Sequence, residues 1–296
     1  MNRQEKEVAV RQAIKDVPLI SSAVARLLEL SGDSEHGIAE IVNIVKFDAV
    51  LTAQILKVVN SAIFARQAEV VSVDHAVSLL GEDMVVGIAM SEAAGLLFEK
   101  KLDGYAADAG SLWRHDLKTA IAAKIIAGYA RTEVNGDLAF TCGLLHDLGK
   151  GVVSDFLKKT PQKIQQAMEQ KKFPDYVAAE RAILGIDHAE AGYELSLNWN
   201  LPAPLPQAIR FHHQPAMADE VLKPLVYTIH LADIVAMMSG VGTGSDALQY
   251  HLDTAYELYI ALSSDELALV MLGVEQEFAK AAAIFWGKEE EGAECA

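Results

Sequence analysis

Phe140 to Lys150 reads FTCGLLHDLGK. An apolar run hands an adjacent His146-Asp147 pair, then Gly149 and Lys150, to what its hydrophobicity makes the protein interior. Neighbouring side chains on an α-helix point about 100° apart, yet an imidazole nitrogen and a carboxylate oxygen differ in reach and a divalent metal accepts both. Two ligands do not make a site. His115, His188, His212, His213 and Asp233 are the further candidates. Any one of them alone reads as a surface or capping residue; several in register with helical segments argue for convergence. Asp233 stands mid-helix among apolar neighbours, where a carboxylate must find a partner because an unpaired buried charge is too costly.

The chain has 296 residues, enough for one large domain or two moderate ones with a substantial core and no need of covalent staples. Its two cysteines, Cys142 and Cys295, exclude a disulfide framework and a Cys-rich zinc site and point to a reducing, cytoplasmic setting. The start, MNRQEKEVAVRQAI, has no apolar h-region, and no later segment runs to ~18 uninterrupted apolar residues. A soluble protein with no membrane attachment is therefore expected. A net charge of −16 opposes binding to a phosphate backbone, which draws its strength from Lys and Arg, so no nucleic-acid partner is expected. A small phosphorylated ligand stays compatible, since a metal pocket can reverse the local potential.

The periodicity is helical throughout, without convincing β alternation, so the fold class is all-α. In the first half SSAVARLLEL, Ile38 to Val45 and Ala49 to Val59 read as helices, the last with Asp48 as N-cap and Asn60-Ser61 near its end. Val73-Asp74-His75 opens another helix through Leu80, and Glu82 to Phe98 forms one more. Glu99 to Gly110 is a linker, which divides the chain into residues 1–104 and 105–296. Beyond it, Ser111 caps LWRHDLKTAIAAKIIAGYA and Asn135-Gly136-Asp137 turns into the central helix. That helix continues past Lys150 to Leu157. Pro161, Pro174 and His188 open further helices, and Val221 to Met238 forms the helix that carries Asp233. The SGVGTGS stretch, 239–245, lacks the strand and helix start of a nucleotide loop and reads as a flexible connection. The tail GKEEEGAECA is polar and is expected to fray.

VPLISSAVARLLEL, FDAVLTAQILKVVNSAIF and VVSVDHAVSLLGEDMVVGIAM resemble the first half of the HDOD family, the HD-related output domain of bacterial signalling proteins. LWRHDLKTA, GLLHDLGK, GIDHAEAGYEL, RFHHQP and HLADIVA resemble its HD-like part, and the likeness runs in order from about Val17 to Met238. The resemblance implies an N-terminal helical bundle packed on a C-terminal HD-like helical domain.

His115, His146, Asp147 and Asp233 make a mixed nitrogen and oxygen set, suited to Mn, Fe, Ni, Zn or Mg rather than to a soft thiolate metal. They also match the H…HD…D pattern of the HD phosphohydrolase superfamily. His188, His212 and His213 fall where the similar HD-GYP phosphodiesterases carry ligands of a second metal, which allows one or two ions per chain with Asp147 between them. Lys150 matches the lysine of their HDxxK pattern, where the resemblance implies a contact to phosphate, so Asp147 and Lys150 are the residues expected to serve any catalysis. After the paired histidines, however, this chain reads QPAMADEVLKPL in place of the Gly-Tyr-Pro signature. The expected function is therefore a signalling output or regulatory protein that contacts other signalling proteins, with a metal-binding or vestigial site. The alternative is a metal-dependent phosphohydrolase acting on a nucleotide or cyclic nucleotide. His230, one turn before Asp233, either orients that carboxylate or is an unrelated polar position. His75 belongs to a helix start, His36 and His251 are solvated, and Trp113, Trp199 and Trp286 serve as core anchors.

Overall fold

The computed structural model describes residues 1–33, 35–60 and 70–286. Ser34, the stretch 61–69 with Ser61 and the end of the FDAVLTAQILKVVNSAIF segment, and the tail 287–296 with Cys295 lie outside the described residues. Among the described residues there is no strand, and the fold is all-α. The helices are α1 (Arg3–Lys15), α2 (Ser22–Leu30), α3 (Ile38–Lys46), α4 (Ala49–Val59), α5 (Val73–Leu80), α6 (Glu82–Ala93), α7 (Gly95–Phe98) and α8 (Ser111–Ala127). They continue as α9 (Gly136–Leu145), α10 (Leu148–Leu157), α11 (Pro161–Glu169), α12 (Tyr176–Leu184), α13 (His188–Asn198), α14 (Leu205–Phe211), α15 (Lys223–Met238) and α16 (Ser264–Trp286).

Side-chain caps set several of these starts. Asp48 accepts from the backbone N–H groups of Val50 and Leu51 and so caps α4. Asn135 caps α9 and Asp187 caps α13 in the same way. Ser111 does not cap α8: the cap is Gly110, in the left-handed region at φ 79°, and Ser111 is the first helical residue. The Glu82 to Phe98 segment is not one helix either. It breaks at Ala94, whose φ of −108° and ψ of 14° leave the helical region.

One continuous apolar core runs through both halves. Helices α2 to α6 pack on one another, while α1 lies against α10, α12 and α13. The Trp199 indole donates to the Pro18 carbonyl at 2.9 Å, and Arg11 pairs with Glu194, so α1 and the turn after it are held by the second half. Helix α8 is buried on nearly every side and is flanked by α9, α15 and α16. Helix α15 with the turn before it is apolar and long enough to cross a membrane by composition, but 72% of that window is buried inside the protein.

Two glycines let backbones meet where the site is built. A Cβ at Gly143 would stand 2.8 Å from Ala120 Cα, and one at Gly149 would collide with the His188 carbonyl oxygen. Helix α9 can thus lie close on α8, and α10 on α13, so that the histidines of neighbouring helices come within reach of one another.

Candidate metal centre

The sequence candidates meet. His115 comes from α8, His188 opens α13, His212 and His213 follow α14, and Asp233 sits in the middle of α15. His146 and Asp147 do not lie within a helix as expected. They occupy the break between α9 and α10, where Asp147 adopts φ −103° and ψ 9°. His146 is held there by its own Nδ1, 2.7 Å from the Gly143 carbonyl. All of these side chains are buried, with His213, 7% exposed, the nearest to solvent.

The imidazoles are oriented by their outer nitrogens. Nδ1 of His115 faces the Val241 carbonyl at 2.8 Å, and Nδ1 of His212 faces that of Ile209 at 2.7 Å. Nδ1 of His188 faces Glu180 Oε2 at 2.7 Å. A carbonyl oxygen only accepts, so in His115, His146 and His212 Nδ1 carries the hydrogen and Nε2 presents a lone pair inward, the arrangement found around bound metals, whereas His188 Nε2 is hydrogen-bonded to His213 Nε2. His115 Nε2 is 3.0 Å from Asp233 Oδ1 and 3.6 Å from Asp147 Oδ2, while His146 Nε2 is 3.5 Å from Asp147 Oδ2 and 3.7 Å from Asp233 Oδ1. The other oxygen of Asp147 faces a second set: its Oδ1 lies 3.3 Å from His188 Nε2 and 3.6 Å from His212 Nε2. His213 Nε2 closes that set, 2.9 Å from His188 Nε2.

These separations fit a cation. Ligand atoms about 2.0–2.2 Å from one ion stand roughly 3.0–3.5 Å from each other. Among the described residues, Nε2 of His115, His146 and His212, Nδ1 of His213 and Oδ2 of Asp233 are buried without a hydrogen bond. The Asp147 oxygens are in the same state apart from the ion pair of Oδ2 with Lys150. Leaving such groups unsatisfied costs roughly 1–3 kcal/mol each, and convergence on a divalent cation removes that cost. The residues present therefore fit a metal.

Charge in the cluster follows its neighbours. Burial alone would raise the Asp147 carboxyl, but Lys150 and His146 hold it well below the usual carboxylate range. Asp233, likewise opposed by burial, is held low by His115 and His146. Burial works against charge on His188, and Glu180 reverses this, raising it to about 9. His212 is pushed down to about 4, chiefly by burial. His213 is also held well below its ordinary value, by burial and by His212 and His188 beside it.

These shifts set the pH response of the metal-free protein. His188 is raised above its ordinary 6.5, so its stabilising contribution is full below pH 6.5 and fades as pH climbs through about 9. His212 is depressed, so the unfolded chain takes up a proton below pH 6.5 that the folded chain refuses, and stability falls toward pH 4. Asp147 and Asp233 stabilise above pH ~4 and lose that contribution as pH falls through their lowered values. The Tm of chelated protein is expected to peak near pH 6.5 and decline on both sides, each group contributing up to ~1.4 kcal/mol per pH unit. A Tm constant from pH 5 to 8.5 would contradict these assignments.

Lys150 is fully enclosed. Its ammonium lies 2.6 Å from Asp147 Oδ2, 2.6 Å from Asp246 Oδ2 and 2.9 Å from Thr243 Oγ1. Burial would strip its proton, and Asp147 and Asp246 hold its pKa above the ordinary lysine range. The 239–245 stretch is accordingly no loose connector. Val241 anchors His115, Thr243 and Asp246 anchor Lys150, and Gly244, at φ 134°, passes so close to Tyr105 that a side chain there would strike its carbonyl. Tyr250 donates to Asp246 at 2.7 Å and stacks on His213 with ring centres 4.1 Å apart.

His230 does not orient Asp233. Its Nδ1 faces the His212 carbonyl at 2.7 Å and its Nε2 accepts from Asp253 N–H at 2.9 Å, so it braces the turn that carries His212. His36 is not free in solvent but faces Glu82 at 2.8 Å, whereas His251 is exposed. The sequence reading missed Asp116, Glu180, Thr243, Asp246 and Tyr250. Asp116 is fully buried 3.7 Å from His146 Nδ1, and burial, with Asp147 nearby, raises its carboxyl well above the usual range. Glu180 alone carried a signal, as an acid inside the apolar run YVAAERAIL.

Known proteins place the chain. The HDOD domain family matches residues 17–215, and the chain belongs to that family. An uncharacterized protein of Treponema pallidum (strain Nichols) is 27% identical over 231 residues, which are 76% of this chain but only 43% of the relative. The chain thus spans under half the length of that curated relative. Similar solved structures include an HDOD domain protein of unknown function from Geobacter sulfurreducens, with TM-score 0.67 and 21% identity over 95% of this chain and 98% of the other. A candidate signal transduction protein from Marinobacter aquaeolei VT8 has TM-score 0.69 and 22% identity over 95% and 67%. A candidate metal-dependent phosphohydrolase from Shewanella amazonensis SB2B has TM-score 0.57 and 19% identity over 95% and 99%. At these identities the likeness concerns the fold.

Proposed function

We propose that this protein is a bacterial signalling output or regulatory protein that acts by contacting other signalling proteins. In this reading the His/Asp cluster is a divalent metal centre that holds the second half together. Closure of the cluster is the observation that carries it. Its ligands are buried, Tyr250 is stacked on the most exposed of them, and Lys150 is engaged by two carboxylates of the chain itself. A cavity of about 510 Å3 does exist, but it lies between Leu80, Met84, Ile121, Phe140 and Ile284 and touches none of the ligands. Leu19, Phe47 and Val50 are exposed around the point where Ser21 meets Asp48, which supports action through protein contact.

A second reading has one observation in its favour. The two oxygens of Asp147 face different donor sets, as a carboxylate shared by two metals does in hydrolases of phosphoesters. A divalent cation bound there would supply Lewis acidity toward such a substrate. The test is turnover of bis(p-nitrophenyl) phosphate and of cyclic dinucleotides by Mn- or Fe-loaded protein. The regulatory reading expects no rate above that of the free metal. Hydrolysis that disappears in His146→Ala would transfer the assignment to the phosphohydrolase.

A further inference from the structure

Three of the inward-facing histidines are held by backbone carbonyls: His115 by Val241, His146 by Gly143 and His212 by Ile209. His188 is held by a side chain. Glu180, fully buried on α12, accepts from the backbone N–H of His188 at 2.8 Å and faces its Nδ1 at 2.7 Å, both through Oε2. The second oxygen of Glu180 accepts from the Tyr105 hydroxyl at 2.6 Å. Tyr105 belongs to the segment that joins the two halves. Its carbonyl also accepts from Ser245 N–H at 2.7 Å, next to the Asp246 that holds Lys150.

We infer that Tyr105 and Glu180 are a positioning pair that sets metal affinity at the His188, His212 and His213 set without governing the set formed by His115, His146 and Asp233. The inference rests on the cluster being a metal centre. A carboxylate on the outer nitrogen of a ligating imidazole fixes its tautomer and ring plane and makes the inner nitrogen more basic. A carboxylate can deliver that only if it cannot swing away. Glu180 is pinned at one oxygen by His188 itself and at the other by Tyr105, so removing the Tyr105 hydroxyl frees the carboxylate and leaves a buried oxygen unsatisfied. Among the described residues, no side chain hydrogen-bonds the outer nitrogen of His115 or His146, the nearest being Asp116, 3.7 Å from His146 Nδ1, and a substitution at Tyr105 or Glu180 does not touch their carbonyl partners. One consequence is that the Tyr105 hydroxyl, through Glu180, reaches one metal position, while only the Tyr105 backbone, which Tyr105→Phe leaves in place, leads through Ser245 toward Lys150 and Asp147.

The test is a Co2+ titration of metal-free wild type, Tyr105→Phe and Glu180→Gln, read by visible d–d absorption and by bound cobalt per chain. Circular dichroism and Tm of the metal-free proteins report on the fold. Tyr105→Phe keeps the ring that lies against Tyr176 and Lys150, so it remains informative if Glu180→Gln does not fold. Wild type is expected to take two equivalents. The variants should take the first with unchanged affinity and the second about 10–100-fold more weakly. A second equivalent bound as tightly in Tyr105→Phe as in wild type would overturn the inference while leaving the metal centre standing, as would equal weakening of both equivalents. Wild type that binds no cobalt would overturn both.

Discussion

Asp147→Asn is expected to empty both donor sets in one substitution, whereas His115→Ala empties one and His212→Ala the other. The asymmetry follows from position: Asp147 offers Oδ2 toward His115 and His146 and Oδ1 toward His188 and His212, all within 3.6 Å, whereas Asp233 approaches the second set only through Oδ2, 4.0 Å from His213 Nδ1. Asparagine keeps the volume, so the loss is one of charge and ligation rather than of packing. It also removes one of the two carboxylates that neutralise Lys150. Breaking a buried pair costs ~3–5 kcal/mol, and metal-replete protein further loses the stabilisation that a bound ion supplies, ~4 kcal/mol at a thousandfold excess over Kd. Metal content and Tm of the three variants measure this. Retention of a tightly bound equivalent by Asp147→Asn would show that the sets do not share the carboxylate.

Gly149→Ala is expected to destabilise the protein by more than ~4 kcal/mol, in the range reserved for severe core defects. The added methyl would collide with the His188 carbonyl oxygen and lie 2.5 Å from Gly192 N. Both obstacles are backbone, so no rotamer change relieves them and α10 must move off α13. Gly151→Ala offers the contrast on the same helix. Its obstacles include Leu97 Cβ at 2.9 Å and Leu97 Cα at 3.3 Å from the new Cβ, so the four-residue α7 must give by a few tenths of an ångström, at a cost of ~1–3 kcal/mol. Urea unfolding of the two variants should separate them clearly. If any Gly149→Ala protein folds, displacement of His188 should still weaken the set to which it belongs. Similar m-values with equal midpoints for the two variants would contradict the account.

The convergence of the candidate residues was legible because they are rare residue types in or beside helical segments, and Asp233 pointed to it because a carboxylate in an apolar helix needs a partner. The same reasoning applied to Glu180 would have found the support of His188. What surrounds the ligands was not legible. Gly143, Ile209 and Val241 act through carbonyl groups that carry no residue identity. The glycines of 239–245 announced a loop, but glycine permits burial and close approach as readily as mobility. Hence Thr243 and Asp246, the partners of Lys150, went unread. The helix break at His146-Asp147 was hidden too, because every residue around it is compatible with a continuous helix. The place of α1 was equally out of reach: its periodicity specifies an apolar face but not that this face meets α12 and α13.

The measurement that bears most directly on the central claim is the metal content of untagged protein, purified anaerobically without chelator and determined by elemental analysis. The account predicts one or two equivalents of a divalent metal per chain, absent from a His146→Ala, Asp147→Ala double variant that also melts at lower temperature. No bound metal, even after anaerobic reconstitution with Fe, Mn, Ni, Zn and Mg, would contradict it.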